Sequence, residues 1–291
     1  MKPKKTDESG SPQARLITTI DEILPYLELQ AGTIINPAPL RLALDLGTMN
    51  SGWQQILDAL ETAGKYVDLD LSSCTMSGTA FNPQSSIVTG KAMIVSIALP
   101  DTAIKIADGN SSSNPTFNHF TNLKSFSGDG LTSIGYYAFQ SCKNLAMTSL
   151  PEGITSISGY AFFGCTNLAL TSLPEGITLI DDSAFYNCTS LALTSLPESL
   201  TSIVGYAFNG CTNLTQISLS AGFTSIGNEV FRNCSNLALV TCLAETPPTL
   251  GTSVFGLTHA SLQIKVPASS VDDYKAAANW STYATRIVAM D

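Results

Sequence analysis

Charge is scarce in this 291-residue chain: Asp, Glu, Lys and Arg make up 13% of it, about half the 25% usual for a globular domain. Fourteen Lys and Arg against 23 Asp and Glu leave a net charge of −9, and four of the fourteen (Lys2, Lys4, Lys5 and Arg15) fall within the first fifteen positions. A surface without a basic patch excludes nucleic acid and anionic membrane as expected partners. No apolar run approaches the roughly 18 residues of a membrane-spanning helix, so no transmembrane segment is expected. Residues 1–13 are polar, lack the apolar core of a signal peptide and read as a disordered tail.

The groups that usually carry chemistry are also few. Only two histidines occur, His119 and His259. Neither has a metal-ligand spacing or a nucleophile beside it in a recognisable motif. There is no CxxC, and no Walker A, GxGxxG or GxSxG pattern. The chain therefore does not read as an enzyme, and no catalytic residue, metal or cofactor is expected. Asp68 and Asp70 flank Leu69 on an alternating segment, so both carboxylates face one way. Cation binding or acid/base chemistry is one reading of them, and the solvated side of a strand is the plainer one. Asp181-Asp182 and Asp272-Asp273 read as turn and helix-start acids.

What the chain has is repetition. AFQSCKNL, AFFGCTNL, AFYNCTSL, AFNGCTNL and VFRNCSNL place Phe139, Phe162, Phe185, Phe208 and Phe231 each 23 residues apart, and Cys142, Cys165, Cys188, Cys211 and Cys234 likewise. A fixed period of this size is the mark of a solenoid whose coils bury one another's apolar faces. Within one copy, Leu168, Leu170 and Leu173 end at Pro174 and read as a strand of a few residues. Ile177 and Ile180 lead to Ala184-Phe185, where one helical or 3₁₀ turn fits before Cys188. Stacked strands lie about 4.8 Å apart, so equivalent residues should form ladders. Five of the seven cysteines recur once per coil, which argues for buried free thiols rather than a disulfide framework.

The spacing resembles that of the BspA-like, Treponema-type leucine-rich repeats, approximately C-x-x-L-x-x-I-x-L-P-x-x-[LIV]-x-x-I-x-x-x-A-F, over roughly residues 90–291. Leu214, Ile217, Leu219, Ile226 and Phe231 fit it. Thr148, Thr171 and Thr194 stand where that family has Ile, and the apolar residue moves to Met147, Leu170 and Leu193, which points to a register change or bulge. The expected fold is an α/β leucine-rich-repeat solenoid of ~23-residue coils with short parallel strands. It has an N-terminal β-α-β cap and a C-terminal helical cap. Residues 14–65 are the N-terminal capping region, 66–267 the repeats and 268–291 the C-terminal cap.

In that opening, Leu16–Leu29 reads as a helix interrupted by Pro25, and Leu40–Leu46 as a strand. Gly47–Gly52 reads as a polar turn, Trp53–Leu60 as a helix stopped by Gly64, and Val67–Leu71 as a strand. At the far end, Ser269 or Ser270 is placed to cap a helix running through Ala278, with Trp280, Tyr283 and Ile287 over the last coil. Nine or ten strands follow from this count.

Function is read from what the coils present outward. Tyr137, Tyr160 and Tyr206 recur at one repeat position, where Ser183 and Glu229 interrupt the series, and Phe163 and Tyr186 follow the ladder phenylalanines. These five form the candidate binding stripe, because tyrosine supplies contact area with little entropy loss; mutual stacking that shields the turns is the plainer explanation of them. The resemblance implies a non-enzymatic recognition or adhesion module, with a protein or glycan ligand, at the cell surface or outside the cell. No leader is present in the numbered chain, so a cytoplasmic location stands beside that one. The alternative function is structural: self-association into a fibre or coat.

Overall fold

The structure is a computed structural model that describes residues 15–48, 51–85 and 88–290. The tail read in residues 1–13 and the centre of the Gly47–Gly52 turn lie outside them. The chain divides into two compact units, one running to Ala103 and including His119–Gly128, the other comprising Ile104–Asn118 and everything from Asp129 onward.

The N-terminal unit is built on five parallel strands in the order Leu16–Ile17, Ala38–Leu42, Val67–Asp70, Ile94–Ala98 and Ser125–Ser127. Alternation buries Leu40, Leu42, Val67, Leu69, Ile97 and Phe126 and leaves Asp68, Asp70 and Ser96 on the other face. A helix spans Ser51–Ala63. Trp53, Ile56, Leu57 and Leu60 lie on one side of it and are all buried, and Gly64 ends it at a φ of +60°.

Two expectations fail in this unit. The helix expected over Leu16–Leu29 exists only as a 3₁₀ turn, Ile20–Glu22, and a helix, Ile23–Glu28, because Leu16–Ile17 pairs with Arg41–Leu42 as an edge strand. Pro25 falls in the first helical turn, where its missing N–H has no partner to lose. The strand expected to reach Leu46 stops at Leu42, after which Asp45 makes a lone bridge to Thr75.

The C-terminal unit is a leucine-rich-repeat solenoid. Phe117, Phe139, Phe162, Phe185, Phe208, Phe231 and Phe255 form one continuous stack, with ring centroids 4.4–5.9 Å apart. Beside it run the thiols. Each ladder cysteine donates to the carbonyl of a phenylalanine one coil back, as Cys165 does to Phe139 at 3.0 Å and Cys188 to Phe162 at 3.1 Å. All seven cysteines are free and buried.

Each corner is held by alternating amide bonds. From Ser183 to Asn187, every second N–H reaches the next coil: Ser183 to Gly205, Phe185 to Ala207, Asn187 to Asn209. The N–H groups between them close back three residues, the 3₁₀ pattern. This geometry requires left-handed backbone at two positions per coil, Ser183 (φ 54°) and Asn187 (φ 56°) in this one.

The strands are not where the repeat pattern put them. Leu168–Leu173 is not a strand, and this coil pairs through Leu179–Ile180 instead. Ser133–Ile134, Ser156–Ile157, Ser202–Ile203, Ser225–Ile226 and Thr249–Leu250 do the same in the other coils. Buried Leu170 and Leu173 are three apart, which breaks the period of two. Only isolated bonds such as Thr171 N–H to the Thr148 carbonyl (3.1 Å) remain there. Where Ile217 and Leu219 restore the period, Gln216–Leu219, Leu239–Cys242, Gln263–Val266 and Ile287–Ala289 form a parallel sheet. Two strand sites per coil raise the total to seventeen strands among the described residues, above the nine or ten expected.

The C-terminal segment is more than one helix. A helix covers Val271–Ala276 rather than extending through Ala278, followed by a 3₁₀ stretch, Trp280–Arg286, and the strand Ile287–Ala289. Ser269 and Ser270 do not cap it, because both hydroxyls donate to Glu245. Trp280 and Tyr283 are buried against Phe255.

Candidate recognition surface

Tyr137, Tyr160 and Tyr206 occupy the first left-handed position of their coils, with φ of 54°, 57° and 61°. A bulky side chain is uncommon there, where glycine and asparagine cost less. The coil geometry therefore carries three tyrosines at a conformational cost, and strain of this kind concentrates at binding and catalytic sites.

The structure brings four of the five candidate residues together. Tyr137 stacks on Tyr160 (5.0 Å between centroids), Tyr160 leans on Phe163 (5.8 Å) and Phe163 stacks on Tyr186 (4.8 Å). The four rings are half-buried, each covering part of the next and leaving an outer flank in solvent. Tyr206 stands apart from this stack, because its neighbours in the ladder are Ser183 and Glu229. It is 37% exposed. Arg232, ion-paired with Glu229 at 2.9 Å, lies within electrostatic range of both Tyr186 and Tyr206.

Beside Tyr206 lies an open depression of about 560 Å³. Gly205, Gly227 and Gly251 form part of it, with Asp182, Asn228 and Thr249 around them. At two of them the coils approach too closely for a side chain: a β-carbon on Gly227 would sit 2.6 Å from the Gly205 nitrogen and one on Gly251 2.5 Å from the Asn228 nitrogen. The repeat reading missed this strip, although three glycines on one side of successive coils were a legible signal. It also missed Tyr136, which is exposed, runs close past Gly159 and donates to Asp181 at 2.5 Å. That bond, and the charge of Asp181, push the Tyr136 phenol above its ordinary value. Burial raises Tyr160 as well, with Asp182 adding to it and a Ser183 hydrogen bond opposing it. Both phenols thus hold their protons to higher pH than an exposed tyrosine does.

The residues weighed for chemistry do not converge. Burial pushes Asp70 upward, but the Ser72 hydroxyl and amide and the Arg41 guanidinium at 3.1 Å outweigh it and hold the carboxyl below its usual range. Asp68 accepts from the Ser96 hydroxyl at 2.6 Å. Each carboxylate is thus engaged by its own partners, as expected of a polar sheet face. His119 and His259 are exposed. No cluster of three or more His, Cys, Asp or Glu suited to a metal occurs among the described residues, and no helix there is long and apolar enough to cross a membrane. Burial drives the ladder thiols upward, Cys142 and Cys234 to about 12, so they are not nucleophiles.

A family model for the BspA type leucine rich repeat region matches six copies, over residues 86–191, 110–238 and 171–274. The chain belongs to that family. Among solved structures, a leucine rich cell surface protein from Faecalibacterium prausnitzii is 31% identical over 53% of this chain and 40% of its own length, with a TM-score of 0.45. The T. pallidum leucine rich repeat protein is 27% identical over 55% of this chain and 75% of its own, with a TM-score of 0.48. A leucine-rich repeat protein from Bacteroides ovatus is 17% identical over 73% and 70%, with a TM-score of 0.38. No curated protein matches. This BspA-type chain thus spans less than half of the Faecalibacterium protein it resembles.

Proposed function

We propose that this chain is a non-enzymatic recognition or adhesion module of a bacterial surface or secreted protein. It binds a protein or glycan through the outer edge of its C-terminal unit. The observation that carries this is the run Tyr137–Tyr160–Phe163–Tyr186, held partly in left-handed backbone, with Tyr206 and its glycine-lined depression further along the same unit. Aromatic flanks bury area against a partner with little loss of side-chain freedom, and an open depression lined by aliphatic and glycine residues with a few hydroxyls among them suits an extended ligand better than a reaction that must exclude water. In this reading residues 66–267 are the repeats, with 14–65 and 268–291 closing their ends.

The test is a parallel screen of the wild-type chain and a Tyr137→Asn/Tyr160→Asn/Tyr206→Asn variant against extracellular-matrix proteins and a glycan array. Asparagine tolerates the left-handed backbone, so the variant should fold. Loss of a wild-type ligand by the folded variant is expected, and undiminished binding would remove the aromatic edge from the account.

A further inference from the structure

A second depression, of about 550 Å³, lies between the last coil and the C-terminal segment. Thr252, Ser253, Leu257, Asn279, Thr282 and Arg286 are among the residues that line it, and no acidic residue does. This is notable in a chain of net charge −9. Of the four arginines, Arg15, Arg41 and Arg232 are each paired with a carboxylate, to Glu22, Asp70 and Glu229. Arg286 has no such partner among the described residues, and its one hydrogen bond is a long one, 3.5 Å, to the Thr258 hydroxyl.

The groups around it leave both a donor and an acceptor unused. Tyr283 accepts the Phe255 N–H at 3.2 Å, which leaves its own O–H proton for another acceptor. Asn279 donates to the Leu250 carbonyl at 2.6 Å, leaving its amide oxygen as an acceptor. At the rim, Leu257 is 67% exposed and left-handed (φ 56°). The equivalent positions of earlier coils hold Ser141, Gly164, Asn187, Gly210 and Asn233. An exposed leucine in left-handed backbone is an outlier that packing does not account for.

We propose that this depression binds a carboxylate-bearing sugar. One planar guanidinium matches one carboxylate by two parallel hydrogen bonds, the threonine, serine, tyrosine and asparagine groups match ring hydroxyls, and Leu257 covers an apolar ring face. A peptide adding a strand is the poorer fit, because Asn279 already occupies the Leu250 carbonyl at that edge. The site does not depend on the aromatic run.

Calorimetric titration of the full chain with glucuronate and N-acetylneuraminate, with glucose and acetate as comparisons, tests it. Saturable binding of at least one sugar acid is expected, weakening with salt and falling about tenfold or more in Arg286→Gln. Leu257→Gly should melt no lower than wild type while binding more weakly, and the triple tyrosine variant should bind the sugar acid unchanged. The proposal is overturned if neither acid binds, if glucose or acetate binds as tightly as the sugar acids, or if the folded Arg286→Gln chain binds like wild type.

Discussion

At the scale of the residue, the thiol ladder makes the sharpest predictions. Cys142 and Cys234 have an ordinary value of 9.0 when exposed and about 12 in the fold, and Cys165, Cys188 and Cys211 are also raised well above 9.0 by burial. A raised value favours the neutral form, so this contribution to stability is complete below pH 9 and is lost as pH climbs towards 12. Thermal melting should therefore hold steady through neutral pH and fall over that alkaline range. A melting temperature that drops on acidification below neutral, with no alkaline loss, would contradict the ladder as its source. Cys188→Ala should cost about 1–3 kcal/mol in urea unfolding, since it opens a small cavity and removes one of the two donors to the Phe162 carbonyl, leaving only the Cys165 N–H. Tyr206→Asn should go the other way, by about 1 kcal/mol, because asparagine tolerates a φ of 61°.

At the scale of the element, the close approach of coils decides which glycines are required. Gly227→Ala should destabilise by about 1–3 kcal/mol, because the new methyl meets the Gly205 backbone at 2.6 Å. Gly222→Ala, with nothing nearer than 3.9 Å, should be neutral or slightly stabilising, and equal melting temperatures for the two would refute the approach of those coils. This scale also shows what was legible. The Phe and Cys ladders could be read because an unbroken period of 23 residues carries identical side chains. The Ser-Ile strands could not, since two residues have no periodicity to detect. The second left-handed corner announced itself through Gly164, Asn187, Gly210 and Asn233, whereas the first is occupied by Tyr, Ser and Glu, which give no such signal. The candidate stripe was therefore found by its chemistry and its backbone was missed. The strand expected at Leu168–Leu173 failed because spacing within the coil, and not hydrophobic content, governs pairing.

At the scale of the whole molecule, the scarcity of charged residues (13%) means that recognition through the aromatic edge should change little with added salt, and affinity measured across a salt series checks this directly. Recognition of a partner through the outward aromatic edge of the C-terminal unit is what we propose for this chain. The most direct measurement is tyrosine nitration of the full chain, with and without a ligand identified by the parallel screen, read residue by residue by mass spectrometry. Protection of Tyr137, Tyr160, Tyr186 and Tyr206 is expected on binding, with half-buried Tyr26 and Tyr66 of the N-terminal unit nitrated to the same extent in both samples. Protection confined to Tyr26 and Tyr66, with the other four unchanged, would contradict it.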